Sequence, residues 1–407
     1  MKKAFVALAV TSLAGVASGQ SSVTLFGVMD AAVSRSSNRA QNLVGNRGVV
    51  DTRRTELRNS GYNSSRLGFR GTEDLGGGLS AGFWLEAPIS NDDGGQGALN
   101  FTRRSTVSLA GGFGELRLGR DFTPSLWNDQ IFDPFGANGV GGSLVYSASS
   151  TFTSFAPSLV PASGLSGLVA SNYVRASNSV GYFLPPSLGG FYGQVMYALN
   201  ERTKSGSDLS LPRVGTTGNA GRYVGGRFGY TSGPLDVALA YGESTASSTY
   251  FQGADDVVKT ANIGFSYDFN FLKLFGEFSR SKHEVDFSGQ VAAVAMPDAE
   301  LKGFLLGVTV PVGPGLVRAT YAQVRYDLGV QSSALPSVGR EPKAGKVAIG
   351  YVHNFSKRTA LYATVARIEN RNGANLSVGG PAFFNSAART FAPLRSTGYD
   401  LGIRHAF

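Results

Sequence analysis

The sequence predicts an all-β protein, a transmembrane antiparallel β-barrel of about sixteen strands, from three observations. Apolar and polar side chains alternate in many segments, and the links between these segments are alternately short and long. The mean hydropathy over 407 residues is -0.03. Alternation with a period of two turns one face of a strand to lipid and the other to water. A balanced composition is typical of such a wall.

The first residues have the order of a secretory signal peptide. Lys2 and Lys3 precede an apolar run, residues 4–16, which is followed by the small residues Ala17 and Gly19. The run is too short to cross a bilayer as a helix. We therefore expect residues 1–19 to be removed and the mature barrel, residues 20–407, to be exported through the periplasm to the outer membrane.

The clearest alternation lies in residues 261–269, where apolar side chains share one face of a predicted strand and polar or small ones share the other. The same pattern occurs in residues 235–242, 304–310 and 399–407. We expect the strand at residues 23–33 to pair with the strand at 399–407 and close the barrel. An open edge in lipid would leave backbone groups without hydrogen bonds, at a cost of several kcal/mol each.

The connecting segments alternate in length. Short links rich in glycine or proline occur at residues 76–78, 111–112, 186–190, 232–234 and 313–315, and long polar links at 38–60, 202–220, 288–299, 329–343 and 373–395. Short periplasmic turns and long external loops are typical of membrane barrels. A soluble sandwich or propeller is the alternative, but the strands are long for a soluble sheet and no repeat of propeller length is present.

Charge and cysteine content exclude several classes of function. The chain has no cysteine and a net charge of +9. Removing Lys2 and Lys3 from the 37 basic residues leaves 35 against 28 acidic residues, a net charge of +7. No basic cluster or nucleic-acid-binding motif accompanies this charge, so we expect no nucleic-acid partner. Without cysteine or histidines at ligand spacing, we also expect no metal and no cofactor.

Two functions compete with that of an open channel. A barrel enzyme of the lipase or protease kind would need a general base, and His283, His353 and His405 do not accompany a nucleophile motif. We therefore predict that the protein is not an enzyme. A non-conducting structural or adhesive barrel would need a filled lumen. Barrels of about eight strands are filled by side chains, whereas sixteen strands leave an aqueous channel.

Four segments in the same order resemble the general, trimeric porins of Gram-negative bacteria, specifically the β-proteobacterial group. They are residues 21–27 (SSVTLFG), residues 65–76 (SRLGFRGTEDLG), Leu118-Gly119-Arg120 followed by Thr123-Pro124, and residues 402–407 (GIRHAF). The resemblance implies a homotrimer of sixteen-stranded barrels in the outer membrane, in contact with membrane lipid and lipopolysaccharide, through which small hydrophilic solutes and ions diffuse passively. It also implies that the barrel-assembly machinery recognises Phe407.

The resemblance further implies a third external loop folded into the barrel, for which residues 124–174 are the candidate. This link contains Asp129 and Asp133, followed by Pro134-Phe135-Gly136, which resembles an acidic motif of the family without its glutamate. The family places basic side chains opposite this loop. The matching positions in this sequence are Arg66, Arg103, Arg120 and Arg175.

The residues themselves support part of this constriction. Arg66 and Arg70 share a face opposed by Leu67 and Phe69. An arginine facing lipid near the midplane costs roughly 2–4 kcal/mol, so both should point into the lumen. The parity of Arg103 is left open by its neighbour Arg104, and Arg103 is chosen on resemblance. Four arginines against two aspartates, with a positive net charge, predict a preference for anions.

Overall fold

The computed structural model describes residues 22–43, 48–95, 99–152, 172–201, 218–249, 254–287, 298–328, 341–384 and 390–407. The predicted signal peptide, residues 1–19, lies outside them. Within these ranges, none of the helices has the length and apolar character needed to cross a membrane.

Seventeen strand segments form one antiparallel sheet in which segments that are neighbours along the chain pair with each other, except β2 and β3. They are β1 (Ser22–Asn42), β2 (Val49–Asn59), β3 (Arg66–Gly76), β4 (Leu79–Pro88), β5 (Arg104–Gly111), β6 (Gly114–Phe122), β7 (Arg175–Phe183), β8 (Phe191–Ala198), β9 (Tyr223–Ser232), β10 (Leu235–Thr249), β11 (Ala254–Asp268), β12 (Lys273–Phe287), β13 (Ala299–Val312), β14 (Gly315–Asp327), β15 (Lys343–Asn354), β16 (Thr359–Arg371) and β17 (Phe391–Ala406).

The first and last strands close the barrel, as the sequence predicted. Val28 lies opposite Ala406, and Val33 lies opposite Leu401. The backbone amides of Gly27 and Phe407 each donate to the other residue's carbonyl oxygen at 3.1 Å. This pairing joins the two ends of the chain, so the lipid-embedded wall has no open edge.

The seventeen segments make sixteen strands, because β2 and β3 are two parts of one strand. β3 pairs with β1 up to Val28, whereas β2 pairs with β1 beyond Ala31, on the same edge. The chain bulges between them at residues 60–65. Here the Asp30 carboxylate accepts hydrogen bonds from the backbone amides of Tyr62 at 2.9 Å and Asn63 at 2.5 Å. These bonds satisfy backbone donors that the interrupted ladder leaves free.

The two ends of the barrel differ in the length of their links. At one end lie seven short hairpins, of which the β3–β4 turn carries Gly77 and Gly78 at φ of 61° and 79°. This left-handed conformation favours glycine. β1 begins and β17 ends at the same end, which is the periplasmic end in outer-membrane barrels. The longer links lie at the opposite, external end.

The long link predicted at residues 38–60 is wrong. β1 continues to Asn42 and β2 begins at Val49. In this part of the wall the apolar face has ended, so the alternation that marks a lipid-facing strand is lost although backbone pairing continues. Most of the links predicted at 202–220, 288–299 and 329–343 falls outside the described residues.

The wall has one apolar and one polar face. Ile263, Phe265 and Leu401 are 50%, 44% and 64% exposed on the isolated barrel, whereas Asn262 and Asp400 on the opposite face are buried. Bare hydrophobic side chains in such a continuous belt are expected where lipid covers them. The opposite face therefore points to the barrel interior.

Two short helices follow β6 and pack on this interior face. Helix α1 (Pro124–Ile131) begins with proline in its first turn, and helix α2 (Leu144–Ser150) begins after Ser143, whose hydroxyl accepts from the Tyr146 amide at 3.2 Å. Proline at the start and serine at the cap both suit helix N-termini. Helix α1 contacts β9 to β11, and helix α2 contacts β13 and β14.

Small residues on the wall make room for the segment between the two helices. Phe132 lies over Gly264, where an added Cβ would come within 2.0 Å of the phenyl ring. Pro134 lies over Gly307, where the corresponding distance is 2.5 Å. Phe132 is completely buried, and Phe135 belongs to the main apolar cluster between this segment and the wall. Close packing of this kind holds the helical segment against one side of the barrel.

Candidate channel constriction

A cavity of about 500 Å³ lies between the wall formed by β3 to β6 and residues 127–138 of the helical segment. Its charged lining consists of Arg66, Arg103, Arg104, Arg318, Glu86 and Asp133. Arginine does not deprotonate in proteins, so these four guanidinium groups carry a permanent positive charge.

Two of the predicted arginines, Arg66 and Arg103, meet at a single carboxylate. Arg103 Nε donates to Glu86 Oε1 at 2.6 Å, and Arg66 Nε lies 3.7 Å from the same oxygen. The second oxygen of Glu86 accepts from Trp84 Nε1 at 3.3 Å. One negative charge therefore faces two positive charges, which leaves a positive surplus on this wall.

Arg104 contributes to the cavity beside Arg103. Its guanidinium lies 4.5 Å from the ring centre of Trp84 and 3.6 Å from Asp121. Arg103 precedes β5, so strand parity does not apply to it, and both consecutive arginines reach the cavity. Arg117, on the next strand, is neutralised by Asp121 at 2.6 Å and Glu115 at 2.8 Å.

The other two predicted arginines, Arg120 and Arg175, do not line this cavity. Arg120 pairs with Ser105, on the face opposite to Thr106, next to a bulge in β6. Its guanidinium is held by the carbonyl oxygen of Thr102 and by Ser177 Oγ, both at 2.6 Å. Arg175 lies 4.4 Å from the ring centre of Phe122, which itself lines the cavity. Strand alternation therefore places Arg120 on the face of Leu118, away from the face that carries Arg104.

The expectation that Asp129 faces the channel is wrong. Asp129 is completely buried, accepts a hydrogen bond from the Tyr173 hydroxyl, and has Asn262 Nδ2 at 3.4 Å. Helix α1 turns this side chain to the wall, beside Glu277. Burial away from water raises the pKa of the Asp129 carboxyl, because the charged form loses hydration.

Asp133 lies at the edge of the cavity but binds its own segment. Its carboxylate accepts from the backbone amides of Phe135 at 3.0 Å, Ala137 at 2.8 Å and Ser143 at 2.9 Å. The side chain is 4% exposed, and burial raises the pKa of its carboxyl. Asp133 thus organises the turn between the helices, and neither predicted aspartate presents a free carboxylate to the cavity.

Arg318 on β14 is a cavity residue that the sequence did not predict. Its guanidinium lies between the rings of Tyr62 and Phe135, at 4.6 Å and 4.4 Å from their centres. The residue is 2% exposed. Alternation with the apolar Val317 and Ala319 would have placed Arg318 on the inner face. The alternation does not show, however, that β14 lies beside the helical segment.

The sequence profile of the Gram-negative porin family matches residues 4–373. The chain belongs to this family. It is an outer-membrane channel protein and not an enzyme.

Two similar outer-membrane proteins and one solved structure agree with this assignment to the porin family. The porin is 37% identical to outer membrane porin protein 32 of Delftia acidovorans over 414 residues, covering 100% of both chains. It is 29% identical to an outer membrane porin protein of Bordetella pertussis over 437 residues, again covering 100% of both. Among solved structures, an anion-selective porin from Comamonas acidovorans matches with a TM-score of 0.69 and 34% identity, covering 95% of this chain and 100% of the other.

Proposed function

We propose that this porin is a passive diffusion channel for small hydrophilic solutes and ions, with a preference for anions. The observation that supports the preference is the cavity lined by Arg66, Arg103, Arg104 and Arg318, in which Glu86 carries the one carboxylate not used by the turn. The similarity to a porin described as anion-selective points in the same direction.

The charge that lines the proposed constriction is predominantly positive, both on β3 to β5 and beside the loop. Residues 124–152 act as the constriction loop, but Asp129 and Asp133 point to the wall and to the loop backbone. Arg318 instead places a guanidinium beside Phe135 of the loop, in the same cavity that Arg66 lines. A passage of one sign concentrates anions and depletes cations, whereas opposed rows of opposite sign produce a transverse field with little net preference.

The assembly and the surroundings of the porin follow from the same family membership. We infer a homotrimer that contacts outer-membrane lipid, including lipopolysaccharide, and whose Phe407 is recognised by the barrel-assembly machinery. Cleavage after residue 19 would precede assembly. Chemical cross-linking of the protein in outer membranes tests the trimer. Detection of only the monomer band on the gel would contradict it.

Reversal potentials in planar bilayers test the ion preference directly. With a tenfold KCl gradient across the bilayer, we expect the reversal potential to lie between zero and the chloride equilibrium potential. A reversal potential at zero, or between zero and the potassium equilibrium potential, would refute the proposed anion preference. It would leave the family assignment intact.

A further inference from the structure

The constriction cavity holds both tryptophans of the chain. The sequence has only 2 tryptophans in 407 residues, Trp84 and Trp127, and both line the cavity of about 500 Å³ between the wall and the helical segment. Tyr62, Phe122 and Phe135 line it as well. The lumen of a porin is polar, because water and hydrated ions fill it. So much aromatic surface at the proposed constriction therefore needs a physical reason.

Guanidinium groups lie over all but one of these rings. Measured to the ring centre, the distances are 4.5 Å for Arg104 over Trp84, 4.4 Å for Arg175 over Phe122, and 4.6 Å and 4.4 Å for Arg318 over Tyr62 and Phe135. These rings hold arginine side chains in place through cation–π contacts. Within the described residues, Trp127 is the one aromatic side chain of the lining without a guanidinium over it.

Helix α1 turns Trp127 into the cavity. Trp127 and Gln130 are partly exposed and both line the cavity, whereas Leu126 and Asp129 are completely buried. Residues three apart lie on the same face of a helix, so this face of helix α1 points to the cavity. The indole packs on Phe122, with 5.4 Å between ring centres and 60° between ring planes. Trp127 therefore presents ring surface to the cavity that no guanidinium of the described chain covers.

The arginines near this pair of rings have unused hydrogen-bond donors. Arg104 lies 3.6 Å from Asp121, the residue before Phe122. Its Nε donates to Thr106 Oγ1 at 3.2 Å, and its terminal nitrogens have no hydrogen-bond acceptor in the described part of the chain. Arg318 Nε is likewise buried without an acceptor among these residues. Since a carboxylate accepts two parallel hydrogen bonds from a guanidinium, the cavity combines donors for a carboxylate with free aromatic surface.

We propose that the constriction is a binding site for aromatic carboxylates that pass through the channel. The carboxylate binds Arg104 with its neighbours Arg66 and Arg103, and the aromatic ring stacks on Trp127. The cavity volume lies within the roughly 300–1,000 Å³ of small-molecule sites, which combine ring surface with a few polar groups. An aliphatic carboxylate uses the arginines but leaves the indole in contact with water. The site rests on the proposed function, because it requires a channel that conducts anions.

Block of the chloride current in planar bilayers tests the contribution of the ring. Potassium benzoate is compared with potassium cyclohexanecarboxylate at pH 8, where both acids carry one negative charge and only benzoate has an aromatic ring. We expect benzoate to halve the current at an about fivefold lower concentration. This ratio corresponds to about 1 kcal/mol, the size of one aromatic contact. Equal half-blocking concentrations in the wild type would overturn the proposal.

Three variants assign the ring preference to Trp127. In Trp127→Leu the ratio of the two half-blocking concentrations should fall to about one, because leucine has no aromatic face. Trp127→Phe keeps a ring and should retain a ratio of about two or more. The matched control is Tyr146→Leu, which removes an aromatic side chain of helix α2 outside the cavity lining and should keep the wild-type ratio. A wild-type ratio in Trp127→Leu, or loss of the ratio in Trp127→Phe or Tyr146→Leu, would overturn the proposal.

Two further measurements on the wild type test the charge of the ligand and its passage. Benzyl alcohol has the ring without the carboxylate and should block about tenfold more weakly than benzoate. Equal block would overturn the proposal in favour of a site for neutral rings. High voltage should relieve the block by benzoate, because an ion that passes is driven out on the far side. A block that only deepens with voltage would overturn passage through the constriction.

The reversal potential in a KCl gradient, recorded on the same wild-type channels, separates this site from the proposed function. A preference for chloride together with equal half-blocking concentrations of the two acids refutes the aromatic site alone. A preference for potassium refutes the proposed anion preference, on which the site rests, and overturns both.

Discussion

Replacing Arg66 and Arg103 together with glutamine should reduce the preference for anions about fivefold. The substitution changes the group around Glu86 from two positive charges and one negative charge to a single carboxylate. An ion passing about 5 Å from a unit charge in a water-like medium gains or loses about 0.8 kcal/mol. Two charges, weakened by salt with a screening length of about 10 Å at 0.1 M, then contribute about 1 kcal/mol, which corresponds to a factor of about five.

Planar-bilayer recordings in a KCl gradient provide the assay for this double variant. The reversal potential should move towards the potassium equilibrium potential, because the carboxylate that remains attracts cations. Arg120→Gln is the matched control, since it removes an arginine of the same predicted set that lies outside the cavity lining. An unchanged reversal potential in a folded double variant, or an equal shift in Arg120→Gln, would refute this account of the selectivity.

Three other perturbations test the barrel and its inner segment. Deleting Phe407 removes the residue that pairs with Gly27 at the seam, so less folded protein should reach the outer membrane; normal levels by immunoblot would contradict this. Gly264→Ala places a Cβ against the Phe132 ring and should lower stability by about 1–3 kcal/mol in thermal unfolding, whereas Gly345→Ala, whose nearest atom is 3.9 Å away, should not. The raised pKa of Asp129 means that the folded protein holds this proton more tightly than the unfolded chain, so stability should fall as pH rises above about 4 and towards the folded pKa. Asp129→Asn should reduce this loss as the pH rises above about 4, and an equal loss in both proteins would argue against it.

The local alternation of apolar and polar side chains was sufficient to predict the wall of the barrel. Residues 261–269 alternate because successive side chains of a strand point to opposite faces, and the structure places Ile263 outside and Asn262 inside. The closure of β1 on β17 followed from the same pattern together with the requirement that backbone groups in lipid be paired. The prediction lost accuracy at residues 38–60, where strands leave lipid and no longer need an apolar face.

For the constriction, too, neighbouring residues determine one part of the lining and contacts between distant strands determine the other. Arg66 was placed on the inner face by its alternation with Leu67, a relation between neighbours in one strand. The orientation of Asp129 depends on how helix α1 lies against Asn262, far away in the sequence, and the guanidinium of Arg120 is held by Thr102 and Ser177 outside the cavity. Arg318 joins the cavity because closure brings β14 beside Tyr62 and Phe135. Side-chain alternation is a local property of each strand, whereas the lining of a channel is set by contacts between distant strands, which form only when the barrel closes around its inner segment.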